Sequence, residues 1–365
     1  MSKDRFTLRR NKLIQAIKKS DADSLLVTNE KNITYLTGFS GDSSYLLIGR
    51  KRTLLISDSR YETQIKEECP GLETIFRTRN ETIMSVAGKL ARKLSISALG
   101  IEGGSVTLSA REALKEACKT TELIVCIGLV EELRIIKDAS EIAATREAVM
   151  QAEKGFTLLR ASITEDQTEL QIAHDLEHAM RRFGALRAAF EPIVASGAHS
   201  ALPHAHPRDV VIGDSPFLLI DWGADNAAGY KSDLTRVLIR GKVPAKYRKI
   251  YDIVLKAQLK GIAAIRPGAL CADVDKAARK VIEKAGFGKQ FGHGLGHGTG
   301  LDIHESPRVS SVSQQELKPG MIVTVEPGIY IPGFGGVRIE DDILVTKNGC
   351  EVLSSLPKEF DAMTG

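Results

Sequence analysis

The stretch Phe291–Glu305, FGHGLGHGTGLDIHE, decides how the rest of the chain is read. It places His293, His297 and His304, three of the eight histidines, among five glycines. Glycine permits unusual backbone angles and lets other groups come close to the chain, so the stretch is a poor helix and a good pocket lining. Taken alone, it also reads as a mobile loop whose histidines face water. The acidic residues on either side of it decide between the two.

Around the stretch, one order of elements occurs twice. Asp138, three residues before Glu141, reads as a helix N-cap with a capping-box partner. Helices expected at Ala139–Arg160 and Thr168–Phe183 lead to a hairpin of Pro216–Ala224 and Gly229–Arg240. Helices expected at Ala245–Ile265 and Ala272–Ala285 lead, through the glycine-rich stretch, to a hairpin of Met321–Ile331 and Gly336–Thr346. The halves do not match in sequence, so the repetition is one of element order. It suggests two related α+β halves facing each other across one sheet.

Each hairpin carries one acid in each strand: Asp221 and Asp233 in the first, Glu326 and Glu340 in the second, all flanked by apolar residues. Buried carboxylates repel one another and resist ionisation unless a cation or donor compensates. One such acid is ordinarily a salt-bridged structural residue; four, with histidines between the hairpins, favour a cation site. Asp341 and Asp342 are expected to turn elsewhere or to pair with a cationic side chain. Four carboxylates and one imidazole form a hard, oxygen-rich set that suits Mn²⁺, Co²⁺, Fe²⁺ or Zn²⁺ in an open catalytic site, unlike a thiolate cage. Two divalent ions balance four carboxylates, so charge favours a pair of ions roughly 3.5–4 Å apart with a water acidified towards a pKa near ~7.

The first 125 or so residues mix short apolar runs with amphipathic ones. Strands are expected at Ser24–Val27, Tyr45–Ile48, Thr53–Ser57, Leu72–Phe76, Leu99–Glu102 and Leu123–Ile127. Helices are expected at Leu8–Lys19, Arg60–Glu68, Glu81–Leu94 and Ser109–Cys118. This pattern predicts an open α/β domain, 1–130, followed by a domain 131–365, with the boundary near Glu131–Asp138. No phosphate loop or nucleophile motif lies in the first domain.

Composition bounds the function. With 50 basic and 46 acidic residues the formal charge is +4, its signs interspersed, which argues against nucleic acid or an acidic membrane as partner. No apolar run follows the basic start and no uncharged stretch reaches membrane-spanning length. Five cysteines without a CxxC pair point to a reduced, cytoplasmic compartment.

The blocks DWGADNAAGYKSDLTRV (221–237), HGLGHGTGLDIHE (293–305), VTVEPGIY (323–330) and VRIEDD (337–342) resemble the prolidase and Xaa-Pro aminopeptidase branch of the pita-bread metallopeptidases. The resemblance covers nearly the whole chain and implies a creatinase-like N-terminal domain before the pita-bread domain. It implies metal ligands at Asp221, Asp233, His297, Glu326 and Glu340, holding two divalent ions, with Mn²⁺ favoured. FEPIVASGAHSALPHAHP (190–207) also resembles the family and places its substrate histidine at His204. By the same likeness His204, His293 and His304 surround the substrate and steady the tetrahedral oxyanion. Arg338 orients the carboxylates, and Glu326 doubles as proton shuttle from water to the leaving proline nitrogen. His293 separates this branch from the methionine aminopeptidases. YLTGFSG (35–41) and LISDSRYETQ (55–64) resemble the bacterial members, whose N-terminal domain supports a homodimer and walls off the cleft. Two departures are the loop between Asp221 and Asp233, one residue longer than in some members, and Val237 where the family has threonine.

The implied substrates are short peptides with proline at the second position. A dipeptidase requires a cation for the free carboxylate of proline, whereas an aminopeptidase requires an open exit. The bacterial-type N-terminal block tilts the expectation to an Xaa-Pro aminopeptidase, with Xaa-Pro dipeptidase (prolidase) as the alternative and a non-catalytic binding module behind both. His174-Asp-Leu-Glu-His178 matches a zinc-peptidase pattern. On a helix, however, both histidines lie opposite Ile172, Leu176, Ala179 and Phe183, so a solvated pair is the better reading. No register of Gly292–Gly300 gives a dinucleotide fingerprint. Trp222 is expected in the core, and no role is assigned to His199 or His206.

Overall fold

The computed structural model describes residues 2–50, 52–213 and 215–364. The chain forms two compact units, Met1–Arg134 and Ile135–Gly365.

The first unit is built on a mixed six-stranded sheet in the order Thr74–Phe76, Thr53–Ser57, Tyr45–Gly49, Ser24–Val27, Ala98–Glu102, Glu122–Cys126. The leucine-rich central strands form a core with the helices Ile83–Lys93 and Leu108–Cys118 through Leu26, Leu47, Leu54, Ala87, Leu99 and Leu114. Both helices start on a threonine, Thr82 and Thr107, whose hydroxyl accepts a first-turn backbone N–H. Besides the four-residue Glu131–Arg134, one helix here lies outside the sequence expectations, Glu30–Thr37. Its β-branched residues hide the helical period, yet its ends are marked: the Asn29 side chain accepts the Asn32 N–H, and Gly38 closes it at φ 83°. The first helix, Ser2–Ile17, also begins earlier than the expected Leu8.

In the second unit the two helix pairs are Ala139–Arg160 with Glu169–Arg182 and Ala245–Ala264 with Cys271–Lys284. Asp138–Glu141 and Thr168–Gln171 both form complete capping boxes. The first hairpin, Phe217–Trp222 with Leu234–Ile239, is joined by Ile193–Ser196 in an antiparallel three-stranded sheet. All six residues of each hairpin strand are buried, which explains the near-continuous apolar reading. The alternation sorts them: Leu218, Ile220 and Trp222 pack on the first helix pair, while Phe217, Leu219, Val237 and Ile239 pack with the second pair and the second hairpin. Trp222 is fully buried, stacks on Phe156 at 4.3 Å and donates its indole N–H to the Ala152 carbonyl. Val237 is core, so the departure from threonine there is one of packing.

The second hairpin departs from a single ladder. Ile322–Val325 pairs with Asp341–Val345 inside a five-stranded sheet, and Gly328–Ile331 pairs with Gly335–Arg338 as a separate two-stranded ribbon. Both segments keep one register, since Thr324 faces Asp342 and Gly328 faces Arg338. The ladder lapses at Glu326-Pro327, where proline has no N–H to offer. A backbone bridge between Thr235 and Glu340 joins the first hairpin to the second. The two halves thus meet edge to edge at that bridge, not across one continuous sheet.

Candidate metal centre

Strand alternation fixes what can meet. In the first hairpin Asp221 faces Thr235 across the ladder, and Asp233 lies two residues before Thr235, hence on the same face. In the second, Arg338 and Glu340 share a face for the same reason, and the register shared by the Thr324–Asp342 and Gly328–Arg338 pairs sets Glu326 opposite Glu340. The Thr235–Glu340 bridge brings the two faces together. His297 enters from the short strand Gly296–Gly298, which pairs with both Glu305–Val309 and Ile322–Val325. Gly296 is required there: a Cβ would stand 2.1 Å from the Thr324 carbonyl oxygen.

Ligand atoms of Asp233, His297 and Glu340 all lie within 4.8 Å of one another. Glu326 Oε1 is 3.4 Å from His297 Nε2, and Asp233 Oδ2 is 3.5 Å from it. Asp221 is tied in through Arg338, whose Nη2 donates to Asp221 Oδ2 while Nε donates to Thr235 Oγ1 at 3.1 Å. Thr235 Oγ1 in turn donates to Glu340 Oε2 at 2.6 Å. Among the described residues, buried Asp221 Oδ1 has no hydrogen-bond partner. Asp341 points away, held by Arg236, Gln258 and Lys358, as the sequence reading expects. Asp342 does not: it accepts the Asp233 N–H at 2.9 Å, at the back of the cluster.

The electrostatics call for positive charge. Burial, reinforced by the neighbouring carboxylates, raises Asp233 and Glu340 well above the ordinary range. Burial pushes Glu326 up to about 8 despite Arg338. Burial also holds His297 down to about 4, so its ring is neutral near pH 7. His297 Nδ1 lies 3.0 Å from the Gly298 carbonyl. A carbonyl only accepts, so Nδ1 carries the proton and Nε2 presents a lone pair to two carboxylate oxygens. Ionising these carboxyls would set lone pair against lone pair, and a divalent cation between the atoms would turn that repulsion into coordination. The residues therefore fit a divalent metal.

A cavity of about 830 Å³ opens over this cluster, lined by Asp221, Asp233, His297, Glu326 and Glu340 together with His204, His293, His304, Arg338, Tyr330 and Arg308. Among the described residues, the ring nitrogens of His204 and His304 have no hydrogen-bond partner. His293 is held differently. Its Nδ1 is 2.8 Å from the Gly294 carbonyl and its Nε2 is 3.0 Å from the Tyr330 hydroxyl, which also accepts from Arg338 Nη1. Both its nitrogens are committed to protein, so in this arrangement it lines the cavity without a free donor for substrate. The backbone of His293 is clamped as well, since Arg279 donates to the Phe291 and His293 carbonyls and pairs with buried Asp275.

Thr235, Thr324 and Tyr330 were missed in the sequence. Parity was the available signal, since each lies two or four positions along a strand from an acid already singled out. The set-aside histidines divide. His174 and His178 are exposed, while Ile172, Leu176 and Ala179 are buried; Phe183, just past the helix end, is 38% exposed instead of core. His206 is exposed beside Glu191. His199 is nearly buried against Glu169.

A two-unit chain with buried carboxylates and one neutral imidazole under a deep cavity has the makings of a metal-dependent hydrolase. The chain belongs to metallopeptidase family M24, whose description matches residues 143–347. Residues 9–136 match the creatinase/prolidase N-terminal domain. An Xaa-Pro dipeptidase of Pyrococcus horikoshii is 37% identical over 351 residues, covering 96% of this chain and 97% of its own. The structure of an Xaa-Pro dipeptidase from Bacillus anthracis superposes with a TM-score of 0.94 at 41% identity, covering 97% and 99%. That of an X-Pro aminopeptidase from Thermotoga maritima gives 0.88 at 34%, covering 94% and 99%.

Proposed function

We propose that this metallopeptidase is an Xaa-Pro dipeptidase (prolidase) with two divalent ions, Mn²⁺ first among the candidates, held by Asp221, Asp233, His297, Glu326 and Glu340. Arg338 adds one positive charge beside the cluster, and Asp342, raised to about 8 by burial, adds none near pH 7. When bound, the ions supply Lewis acidity toward the scissile carbonyl and a nucleophilic water at neutral pH. Glu326, whose burial favours holding a proton, takes one from the water and gives it to the proline nitrogen. His204 and His304 face the developing oxyanion. Arg338, through Asp221 and Thr235, holds two carboxylates in place.

The observation that favours the dipeptidase over the expected aminopeptidase is Arg308. It stands in the same cavity, close enough to lower the proton affinity of His304 and His297. Among the described residues its guanidinium has no hydrogen-bond or ion-pair partner, although its backbone lies in the ladder opposite His297. A free guanidinium beside the reacting bond matches the carboxylate that only a dipeptide carries on its proline. Comparing Xaa-Pro with Xaa-Pro-Yaa tests this reading: Xaa-Pro is the better substrate, and Arg308→Met raises its KM roughly tenfold or more while leaving the tripeptide unaffected. Preference for the tripeptide would return the assignment to the aminopeptidase. Five cysteines without a disulfide support a cytoplasmic setting, and the N-terminal domain carries the family's expectation of a homodimer. No helix among the described residues is long and apolar enough to cross a membrane.

A further inference from the structure

Glu169 begins the helix Glu169–Arg182, and its side chain is fully buried. The cap of that helix is already filled by Thr168, so the carboxylate is free for other work. Among the described residues, every hydrogen bond of its side chain goes to one segment. Ser196 donates both its N–H and its hydroxyl to Oε1 at 2.8 Å. His199 Nδ1 stands 2.9 Å from Oε2. Arg208 donates its backbone N–H and Nε to Oε2, at 3.2 and 3.0 Å, and Nη2 to Oε1 at 3.0 Å. Burial works to raise this carboxyl, but the donors from Arg208, Ser196 and His199 outweigh it and bring it down to about 2.

These donors bracket a loop. Ser196 ends a sheet strand, Gly197–Ala201 forms a 3-10 turn, and the chain then runs through exposed Leu202 and His204 to Arg208. The start of the same helix also holds the far end, as Leu170 N–H donates to the Arg208 carbonyl at 3.1 Å and Glu169 N–H to Val210 at 3.2 Å. Among the described residues nothing hydrogen-bonds the His204 ring in the cavity wall, so its place depends on how the loop is closed. For stability alone, a buried ionic node of this kind gives little that apolar packing would not. What it does give is a fixed distance between the two ends of the loop.

We propose that Glu169 is a positioning residue for His204: one buried carboxylate closes residues 196–208 and so sets where the imidazole stands above the carboxylate cluster. This rests on the reading that His204 contacts substrate. The test is a double-mutant cycle on the Mn²⁺-loaded enzyme with an Xaa-Pro dipeptide, using Glu169→Gln, His204→Ala and both together. Mn²⁺ affinity is read by calorimetry alongside. Expected are a loss in kcat/KM on the order of tenfold for Glu169→Gln, unchanged Mn²⁺ affinity, and no further loss from Glu169→Gln once His204 is alanine. Equal losses in both backgrounds, or weakened Mn²⁺ binding, would make Glu169 merely structural and overturn the proposal. If His204→Ala alone leaves kcat/KM unchanged, the reading of His204 fails first and the positioning role falls with it. Should Glu169→Gln not fold, Arg208→Met, whose side chain is 46% exposed, enters the same cycle with the same expected non-additivity.

Discussion

Glu326→Gln should stabilise the metal-free protein at alkaline pH while removing its response to metal. Glu326 is held up to about 8 against an ordinary 4.5. A carboxyl raised on folding binds its proton more tightly in the folded chain than in the unfolded one. Its ionisation therefore costs nothing below the ordinary value, and the full penalty is present above about 8. The difference corresponds to about 5 kcal/mol as a ceiling. Burial is the main cause and the nearby Asp221 carboxylate a lesser one, so relaxation around the carboxyl leaves about 2–4 kcal/mol as the expected effect. At roughly 2–4 °C per kcal/mol for a unit of this size, chelator-treated Glu326→Gln should melt several degrees above wild type at pH 8.5. The gap should shrink to a small remainder at pH 5. Glutamine keeps the acceptor for the Thr324 hydroxyl, so no bond is forfeited. Differential scanning calorimetry at the two pH values, with and without Mn²⁺, reads the effect. Wild type should gain melting temperature on adding Mn²⁺, and the variant far less. A variant that melts lower than wild type at pH 8.5, or a gap independent of pH, would refute the claim that ionising buried Glu326 is costly when no cation is present.

Other consequences are testable in the same protein. His297→Ala should abolish turnover and lower the number of Mn²⁺ ions bound at saturation, with the circular dichroism spectrum unchanged; full activity would remove His297 from the site. Gly296→Ala drives a Cβ into the Thr324 carbonyl and should cost about 2 kcal/mol or more in urea unfolding, with weaker Mn²⁺ binding because His297 moves with its strand. Asp341→Asn leaves fully buried Arg236 short of its ionic partner and should destabilise by about 3–5 kcal/mol. A loss under 1 kcal/mol would mean that Gln258, Ser354 and Lys358 are not competing for a charged carboxylate.

Much of the fold was legible because local chemistry wrote it. Asp138 and Glu141 announce a helix start through two reciprocal hydrogen bonds that involve four neighbouring residues and nothing else. The six strands of the first unit are short runs of Leu, Ile and Val between polar turns, and each was found. Glu30–Thr37 escaped because Ile33, Thr34 and Thr37 are weak helix formers, so only its caps mark it. At the site, residue identity was enough to nominate the acids and histidines. It could not tell that Asp342 turns to the Asp233 backbone while Asp341 turns to Arg236, since adjacent strand residues differ only in which face they take. Nor could it tell that the Tyr330 hydroxyl takes up His293 Nε2.

The order of side chains along the polypeptide determined what this protein has to work with: a family, two units, five candidate ligands and a ring of imidazoles, all carried by short-range patterns. Only the tertiary structure decided which of them meet. The register of two hairpins, the lapse at Pro327 and the single bridge from Thr235 to Glu340 set distances between residues more than a hundred positions apart. Those distances follow from strand pairing across the whole unit, which no local window of sequence contains.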